Sequence, residues 1–304
     1  MAQLIKLQDY ISRYESDIFQ YTGQFIRFKK ENYSSIHEQW QQHLSGDLIF
    51  DEPKEEKENS SRLKKWWRRN KEKEDIDVEE PVIHWPETEL ELKHQFLDKV
   101  FAFQLKWASS TLQEVSFLDK MYEQDERLKY FLQRFPDTFL ILYQPIFKLK
   151  NAAVEAEVII VTPAKIMCLS LLENSDDEAY YEAVDERKWN VVENQEERTI
   201  VSPMIGLKRM EKTIHSILDL KGLEYPVEKV ILSESHHVTH QQKLYKTQVI
   251  DSKNYQQWFQ EHRRTSYPLK HQQLKIAEAL LQHTQKTSIK RPVWEDDDDV
   301  FSEE

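Results

Sequence analysis

Apolar residues recur every three or four positions through two long stretches of the chain, a spacing that predicts amphipathic helices. The first stretch runs from residue 2 to residue 43 and contains no proline. The second runs from about residue 89 to residue 134, a length that suits two helices, and it ends before Pro136, which restricts the residue ahead of it. The N-terminal part of the chain is therefore predicted to be largely helical.

After Pro136 the pattern changes to short apolar runs, rich in β-branched residues and separated by turn residues, which is typical of strands. Ser202 and Pro203 suit a helix cap and a first helical turn, and Gly222 suits the end of that helix. Residues 174–199 are acidic and irregular. The predicted elements are strands at 138–145, 153–161 and 166–172, a helix at 203–220, strands at 227–232 and 246–250, and helices at 252–262 and 268–285. This order indicates an α/β fold of mixed α+β character.

Two further segments are dominated by charge and lack this periodicity. Residues 46–88 alternate between acidic and basic blocks, the composition of a mobile linker. Its basic block surrounds two tryptophans, and the expected contact residues are Lys64, Lys65, Trp66, Trp67, Arg68 and Arg69. Indoles beside cations suit nucleic acid, an anionic membrane surface or an acidic protein partner, while a solvated linker is the plainer alternative. Residues 291–304 are predicted to be an acidic, disordered tail.

The composition narrows the classes of function. The chain has 304 residues, four glycines and a formal net charge of -12. So few glycines exclude P-loop, dinucleotide-binding and kinase glycine loops. The negative charge means that nucleic-acid binding has to rely on a local basic patch. A single cysteine, Cys168, and the lack of a long apolar run or signal peptide favour a cytoplasmic protein without a transmembrane segment.

A more specific pattern occupies residues 155–173. An acid precedes a run of aliphatic residues, which leads through a turn at Thr162 into a second aliphatic run. The pattern continues downstream with Trp189, the helix start at Ser202 and Pro203, and a Tyr-Pro-Val strand from Tyr225. This arrangement resembles the nuclease-related domain (NERD) family of bacterial proteins over roughly residues 120–262.

The resemblance implies a restriction-endonuclease-like central sheet flanked by helices, with metal-bound carboxylates and a lysine at the active site. Glu157 stands where the family has its first acid, and Glu155 is expected to share its face. The positions of the second acid and the lysine hold Ser170 and Leu172, so the active site is degenerate. Asp125 lies near the place of an upstream helical acid of the family.

From these residues we expect a non-catalytic binding or scaffolding module for nucleic acid or a protein partner, with no cofactor. The alternative is a divergent Mg²⁺-dependent nuclease that uses Glu155, Glu157 and Asp125. A second alternative, which rests on the basic linker alone, is a peripheral membrane-associated scaffold.

Histidines cluster near the end of the predicted strand at 227–232. His236 and His240 have the i, i+4 spacing that brings two zinc ligands together on a helix, and His237 and Glu234 lie close in sequence. The preceding strand and the β-branched residues between the two histidines disfavour a helix, and no cysteine lies nearby. The pattern therefore does not predict a zinc site.

The predicted organisation joins these segments in chain order. It comprises a helical region at 1–45, a charged mobile linker at 46–88, a helical region at 89–134, the nuclease-related domain at 120–265, a C-terminal helix at 266–290 and an acidic disordered tail at 291–304.

Overall fold

A computed structural model describes residues 1–45, 85–149, 152–240 and 244–291. The helices in these ranges are α1 (Ile18–Ser45), α2 (Glu89–Trp107), α3 (Glu126–Arg134), α4 (Pro203–Leu220), α5 (Tyr255–Arg263) and α6 (His271–Gln282), with short 3-10 helices at Arg13–Glu15 and Lys120–Glu123. The strands are β1 (Gln3–Leu7), β2 (Glu114–Val115), β3 (Leu140–Tyr143), β4 (Ile146–Leu149), β5 (Ala152–Glu155), β6 (Val158–Val161), β7 (Ile166–Leu171), β8 (Tyr180–Ala183), β9 (Lys188–Glu193), β10 (Glu196–Val201), β11 (Val227–Leu232), β12 (His237–His240), β13 (Thr247–Ile250) and β14 (Ile289–Lys290).

A six-stranded mixed sheet in the order β1-β3-β6-β7-β11-β13 forms the centre of the fold. The strand β6 runs antiparallel to its neighbours β3 and β7, while β7, β11 and β13 are parallel. A smaller sheet has the order β10-β9-β8-β12, and β4-β5 and β2-β14 are two-stranded ribbons. The architecture is thus mixed α/β, as the order of predicted elements indicated.

Helices cover the central sheet, which explains why its strands are continuous apolar runs. Every residue of β3 and β6 is buried, as are the first four residues of β7. On one side, aromatic and aliphatic residues of α2, α3 and α5 share a core with the sheet. The helix α4 packs on β7 and β11, and α6 packs on α4 and β6.

Local signals correctly placed several elements. The side chain of Ser202 accepts a hydrogen bond from the Met204 amide at 3.2 Å, and Pro203 occupies the first turn of α4. The turn expected at Thr162 joins the antiparallel strands β6 and β7, and Thr162 Oγ1 accepts a hydrogen bond from the Lys165 amide at 3.0 Å. The second helical stretch divides into α2 and α3, as its length suggested.

Two predictions of local structure were wrong. The N-terminal residues form β1 rather than helix, because all five side chains of Gln3–Leu7 are buried beside β3, and α1 begins only at Ile18. Residues 174–199 are not irregular but contain β8, β9 and part of β10. Their acidic side chains are exposed or half-buried, while the Trp189 and Val191 side chains of β9 are buried.

The chain divides into two compact units, residues 1–28 with 97–304 and residues 29–96. In the smaller unit the Trp40 indole N–H donates to the Pro86 carbonyl at 2.7 Å, and the rings of Tyr33 and Phe96 lie 5.3 Å apart. None of the described helices is long and apolar enough to cross a membrane. The domain boundaries expected from the sequence stay predictions.

Candidate active site

The carboxyl ends of three parallel strands, β7, β11 and β13, lie at one edge of the central sheet. In open α/β sheets this edge is where ligands bind, because the loops that leave parallel strands converge there. Glu173 follows β7, Glu234 follows β11, and Asp251 follows β13 directly. Carboxylates from three segments that are far apart in the sequence therefore lie at this edge of the sheet.

Asp251 positions the imidazole ring of His237 at this edge. Its Oδ2 is the hydrogen-bond partner of His237 Nδ1 and also accepts from the Val238 amide at 3.2 Å. Its Oδ1 accepts from the Lys253 amide at 3.1 Å. Burial would raise the pKa of the Asp251 carboxyl, but these hydrogen bonds outweigh burial and hold its pKa below the ordinary value. Asp251 is therefore an ionised acceptor that orients the ring.

The other ring nitrogen of His237 faces a cation. Lys253 Nζ lies 3.0 Å from His237 Nε2. Since a lysine ammonium only donates and Asp251 only accepts, these partners assign a neutral ring with its proton on Nδ1 and a lone pair on Nε2. The His237 side chain is 35% exposed, so a ligand can reach it. This arrangement suits proton transfer at a phosphate whose charge the ammonium offsets.

The neighbouring histidines do not join this group. His236 is buried, and its Nε2 lies 3.0 Å from the Asp176 carbonyl, while His240 ends the exposed side of β12. Within the described ranges, no three histidine, cysteine, aspartate or glutamate side chains are arranged to hold a metal ion.

Sequence reasoning missed Asp251 and Lys253. The available signal was an aspartate directly after a short predicted strand, with a lysine two residues later. That signal becomes informative only when β13 is known to lie next to β11, because the loop that follows β11 leads to His237 at the start of β12.

A second polar cluster contains Glu157, one of the site residues predicted from the sequence. Glu157 Oε1 accepts from the Leu171 amide at 2.9 Å, and Ser170 also donates to this carboxyl group. Arg127 pairs with Glu173 nearby. Burial raises the pKa of Glu157 above its ordinary value, although the two hydrogen bonds partly oppose that effect.

The other predicted residues lie apart or serve the local fold. Glu155 is exposed on β5, because the chain leaves the ribbon at Ala156 before β6 begins, so it does not share a strand face with Glu157. Asp125 caps α3 by accepting from the Leu128 amide at 2.8 Å, and it also accepts from the Tyr143 hydroxyl at 2.9 Å. Leu172 is buried.

Replacement of Glu157 by glutamine is expected to preserve folding and to remove a pH-dependent cost. Because its pKa is raised in the folded protein, ionisation of Glu157 makes folding less favourable as pH rises above the unfolded value of 4.5. We expect the stability of Glu157→Gln relative to the wild type to increase between pH 4 and pH 7, about the range above the unfolded carboxyl pKa. Urea unfolding at a series of pH values measures this difference, and a constant difference across the series would contradict the assignment.

The basic contact residues Lys64, Lys65, Trp66, Trp67, Arg68 and Arg69 lie outside the described residues, as do the acidic residues 292–304.

Comparison with known proteins gives one partial relative. A curated protein of Geobacillus stearothermophilus, described as an RNA 2',3'-cyclic phosphodiesterase, is 37% identical over 114 residues. The match covers 34% of this chain and 36% of the relative, so the chain matches little more than a third of the relative's length. No family model matches the chain, and no solved structure matches it.

These findings correct the resemblance to the nuclease-related domain family, because the relative is described as a different kind of protein. The resemblance rested largely on two aliphatic strands joined by a Thr-Pro turn, and any strand pair buried on both faces has a similar run of residues. The expectation of a non-catalytic scaffold with a degenerate nuclease site was wrong for the same reason, since the relative is described as an enzyme.

Proposed function

We propose that the chain is a phosphodiesterase that opens 2',3'-cyclic phosphates at RNA ends, with His237 as the proton-transfer group. The observation that carries the proposal is the imidazole held between the Asp251 carboxylate and the Lys253 ammonium at the carboxyl edge of the sheet. The name of the partial relative supplies the substrate class. Because the match is partial, the activity is a proposal for this chain.

The proposed reaction uses the Nε2 lone pair of His237, which Lys253 Nζ releases when it moves to the phosphoryl oxygens of the bound substrate. His237 Nε2 takes a proton from water while the water oxygen bonds to phosphorus. The bond between phosphorus and one ribose oxygen breaks, and the imidazolium returns the proton to that oxygen. The product is a phosphomonoester next to a free hydroxyl group. Asp251 stabilises the transient imidazolium, and the Lys253 ammonium offsets the charge that builds on the phosphoryl oxygens.

This dyad supports the proposal better than the Glu157 cluster does. Glu157 is largely buried and accepts hydrogen bonds from the Leu171 amide and from Ser170, whereas the His237 side chain is 35% exposed and its Nε2 faces the exposed Lys253. Cyclic phosphate opening requires proton transfer at two oxygens in turn, a task that one oriented histidine performs.

Purified protein incubated with nucleoside 2',3'-cyclic phosphates and with RNA ending in a cyclic phosphate tests the proposal. We expect one phosphomonoester isomer to accumulate, identified by chromatography and ³¹P NMR. A parallel preparation of His237→Gln shows whether a contaminating nuclease contributes. Hydrolysis that is equal in the two preparations, or no hydrolysis of either substrate by the wild type, would overturn the proposal.

Other expectations from the sequence stay predictions. They are a restriction-endonuclease-like arrangement of the sheet, a cytoplasmic location, the absence of a cofactor, and a nucleic-acid, protein or membrane partner for the basic linker.

A further inference from the structure

One face of α4 carries a cationic stripe that the proposed reaction does not use. Ile205, Lys208, Arg209 and Lys212 follow one another at helical spacing, so they lie on one side of the helix. The opposite side, which includes Leu207 and the other buried residues of α4, packs toward the central sheet. The stripe therefore faces away from the core.

The turn between β8 and β9 completes a groove with this stripe. The groove has a volume of about 560 Å³ and is lined by Glu186, Arg187, Ile205, Lys208, Arg209 and Lys212. Lys208 Nζ lies 2.7 Å from Glu186 Oε2, which neutralises one cation. Arg187, Arg209 and Lys212 form no ion pair within the part of the chain that the structure describes. Three cations that form no ion pair with the described residues thus line one groove of a protein whose net charge is -12.

The small sheet connects this groove to His237. On β12, His237 lies opposite Tyr180, where β8 begins, and His240 lies opposite Ala183, where β8 ends. The turn that carries Arg187 follows directly. Arg187 lies seven positions after Tyr180, which is at most about 25 Å of extended chain.

We propose that this groove binds the phosphate backbone of the RNA strand whose end is processed at His237. Proteins that hold single strands without sequence preference use a positively charged groove that follows the backbone. The net charge of -12 repels polyanions, so binding has to concentrate where local charge is positive. The choice of RNA rests on the proposed function, whereas the preference for a polyanionic strand rests on the groove itself.

Salt-dependent binding of a labelled, unstructured RNA with an ordinary 3'-hydroxyl end tests the groove without requiring catalysis. The variant Arg209→Gln/Lys212→Gln removes two cations, and Lys221→Gln/Lys275→Gln removes two exposed cations from outside the groove as a control. For single strands, each lost phosphate contact lowers the slope of log K against log salt by about 0.7, so the groove variant is expected to lose about 1.4. Its affinity is expected to fall by about tenfold, and the control is expected to match the wild type.

Several outcomes would overturn the inference. They are the absence of RNA binding by the wild type, an unchanged slope and affinity in the groove variant, and an equal loss in the control. Vesicles containing phosphatidylserine provide a further comparison. If the groove substitutions abolish binding to vesicles and leave binding to RNA intact, the groove serves a membrane surface and the inference is wrong.

The same variants separate this inference from the proposed function. If cyclic phosphate opening occurs, the groove variant is expected to raise KM for an RNA substrate and to leave kcat and the turnover of a cyclic mononucleotide unchanged. If no hydrolysis occurs but the salt slope falls as expected, the groove assignment stands and the proposed reaction fails.

Discussion

Replacement of His237 by glutamine is expected to lower kcat for cyclic phosphate opening by about 10²–10⁴-fold, the usual contribution of a positioned proton-transfer group. Glutamine has similar polarity but no nitrogen that accepts and returns a proton at neutral pH. Lys253 remains in the variant, so KM for a cyclic mononucleotide is expected to change little. Steady-state rates at several substrate concentrations separate the two parameters.

His240→Gln is the matched control for this variant. His240 lies on the same strand and is exposed, and its side chain forms no hydrogen bond with the described residues. We expect it to retain the kcat of the wild type. Urea unfolding of both variants shows whether a loss of rate reflects a loss of folding. A kcat for His237→Gln within a few-fold of the wild type, at equal stability, would remove His237 from the reaction.

The parts of the fold that the sequence predicted well are those set by neighbouring residues. The start of α4 follows from the Ser202 side chain and the fixed backbone of Pro203. The strand β11 at Val227–Leu232 has the predicted bounds, because a short apolar run with β-branched residues is bounded by a proline and by polar residues. These interactions act within a few residues and do not depend on the rest of the chain.

The parts that the sequence did not predict depend on contacts between distant segments. Residues Leu4 and Leu7 fit a helical spacing, yet Gln3–Leu7 forms a strand that pairs in parallel with β3. The paired residues lie more than 130 positions apart in the sequence. The contact between His237 and Asp251 also spans 14 residues and requires β13 to pair with β11. A periodic pattern contains no information on which strand lies next to which.

The single strand predicted at 153–161 is divided into β5 and β6, and this division separates two predicted site residues. Alternation along a continuous strand would have put Glu155 and Glu157 on one face. The Ala156 amide instead donates to the Pro145 carbonyl at 3.0 Å, so the ribbon β4-β5 ends and the central strand β6 begins. Glu155 consequently lies on the ribbon, whereas Glu157 lies in the bend that precedes β6.

A buried ion pair near the N-terminus holds a lysine that is shielded from water. Lys6 on β1 is fully buried, and its Nζ lies 2.7 Å from both the Tyr10 carbonyl and Glu15 Oε1. Burial lowers the pKa of the Lys6 ammonium, although Glu15 opposes the shift. Lys286 Nζ lies 2.7 Å from the second oxygen of Glu15 and is half-exposed. Glu15 therefore compensates a cation that cannot reach water.

Replacement of Glu15 by glutamine is expected to lower the free energy of unfolding by about 3–5 kcal/mol, the usual cost of leaving one member of a buried pair uncompensated. Glutamine retains an acceptor for Lys6 but removes the negative charge. The half-exposed Lys286 ammonium is hydrated in the variant, so the loss of its pair with Glu15 adds little to the decrease in the free energy of unfolding. Urea unfolding measures the change, and Glu186→Gln, which breaks the exposed pair with Lys208, is expected to cost less than about 1 kcal/mol.

The pH dependence and a second substitution distinguish buried charge from simple loss of packing. A lysine whose pKa is lowered by folding binds its proton less tightly in the folded state, so stability rises with pH until the unfolded value of 10.5. This rise is expected to be steeper in Glu15→Gln, because Lys6 is then uncompensated. Adding Lys6→Met to Glu15→Gln removes the stranded cation, so the double variant is expected to be more stable than Glu15→Gln alone. Additive losses from the two substitutions would show instead that packing, rather than the uncompensated charge, determines the stability of this region.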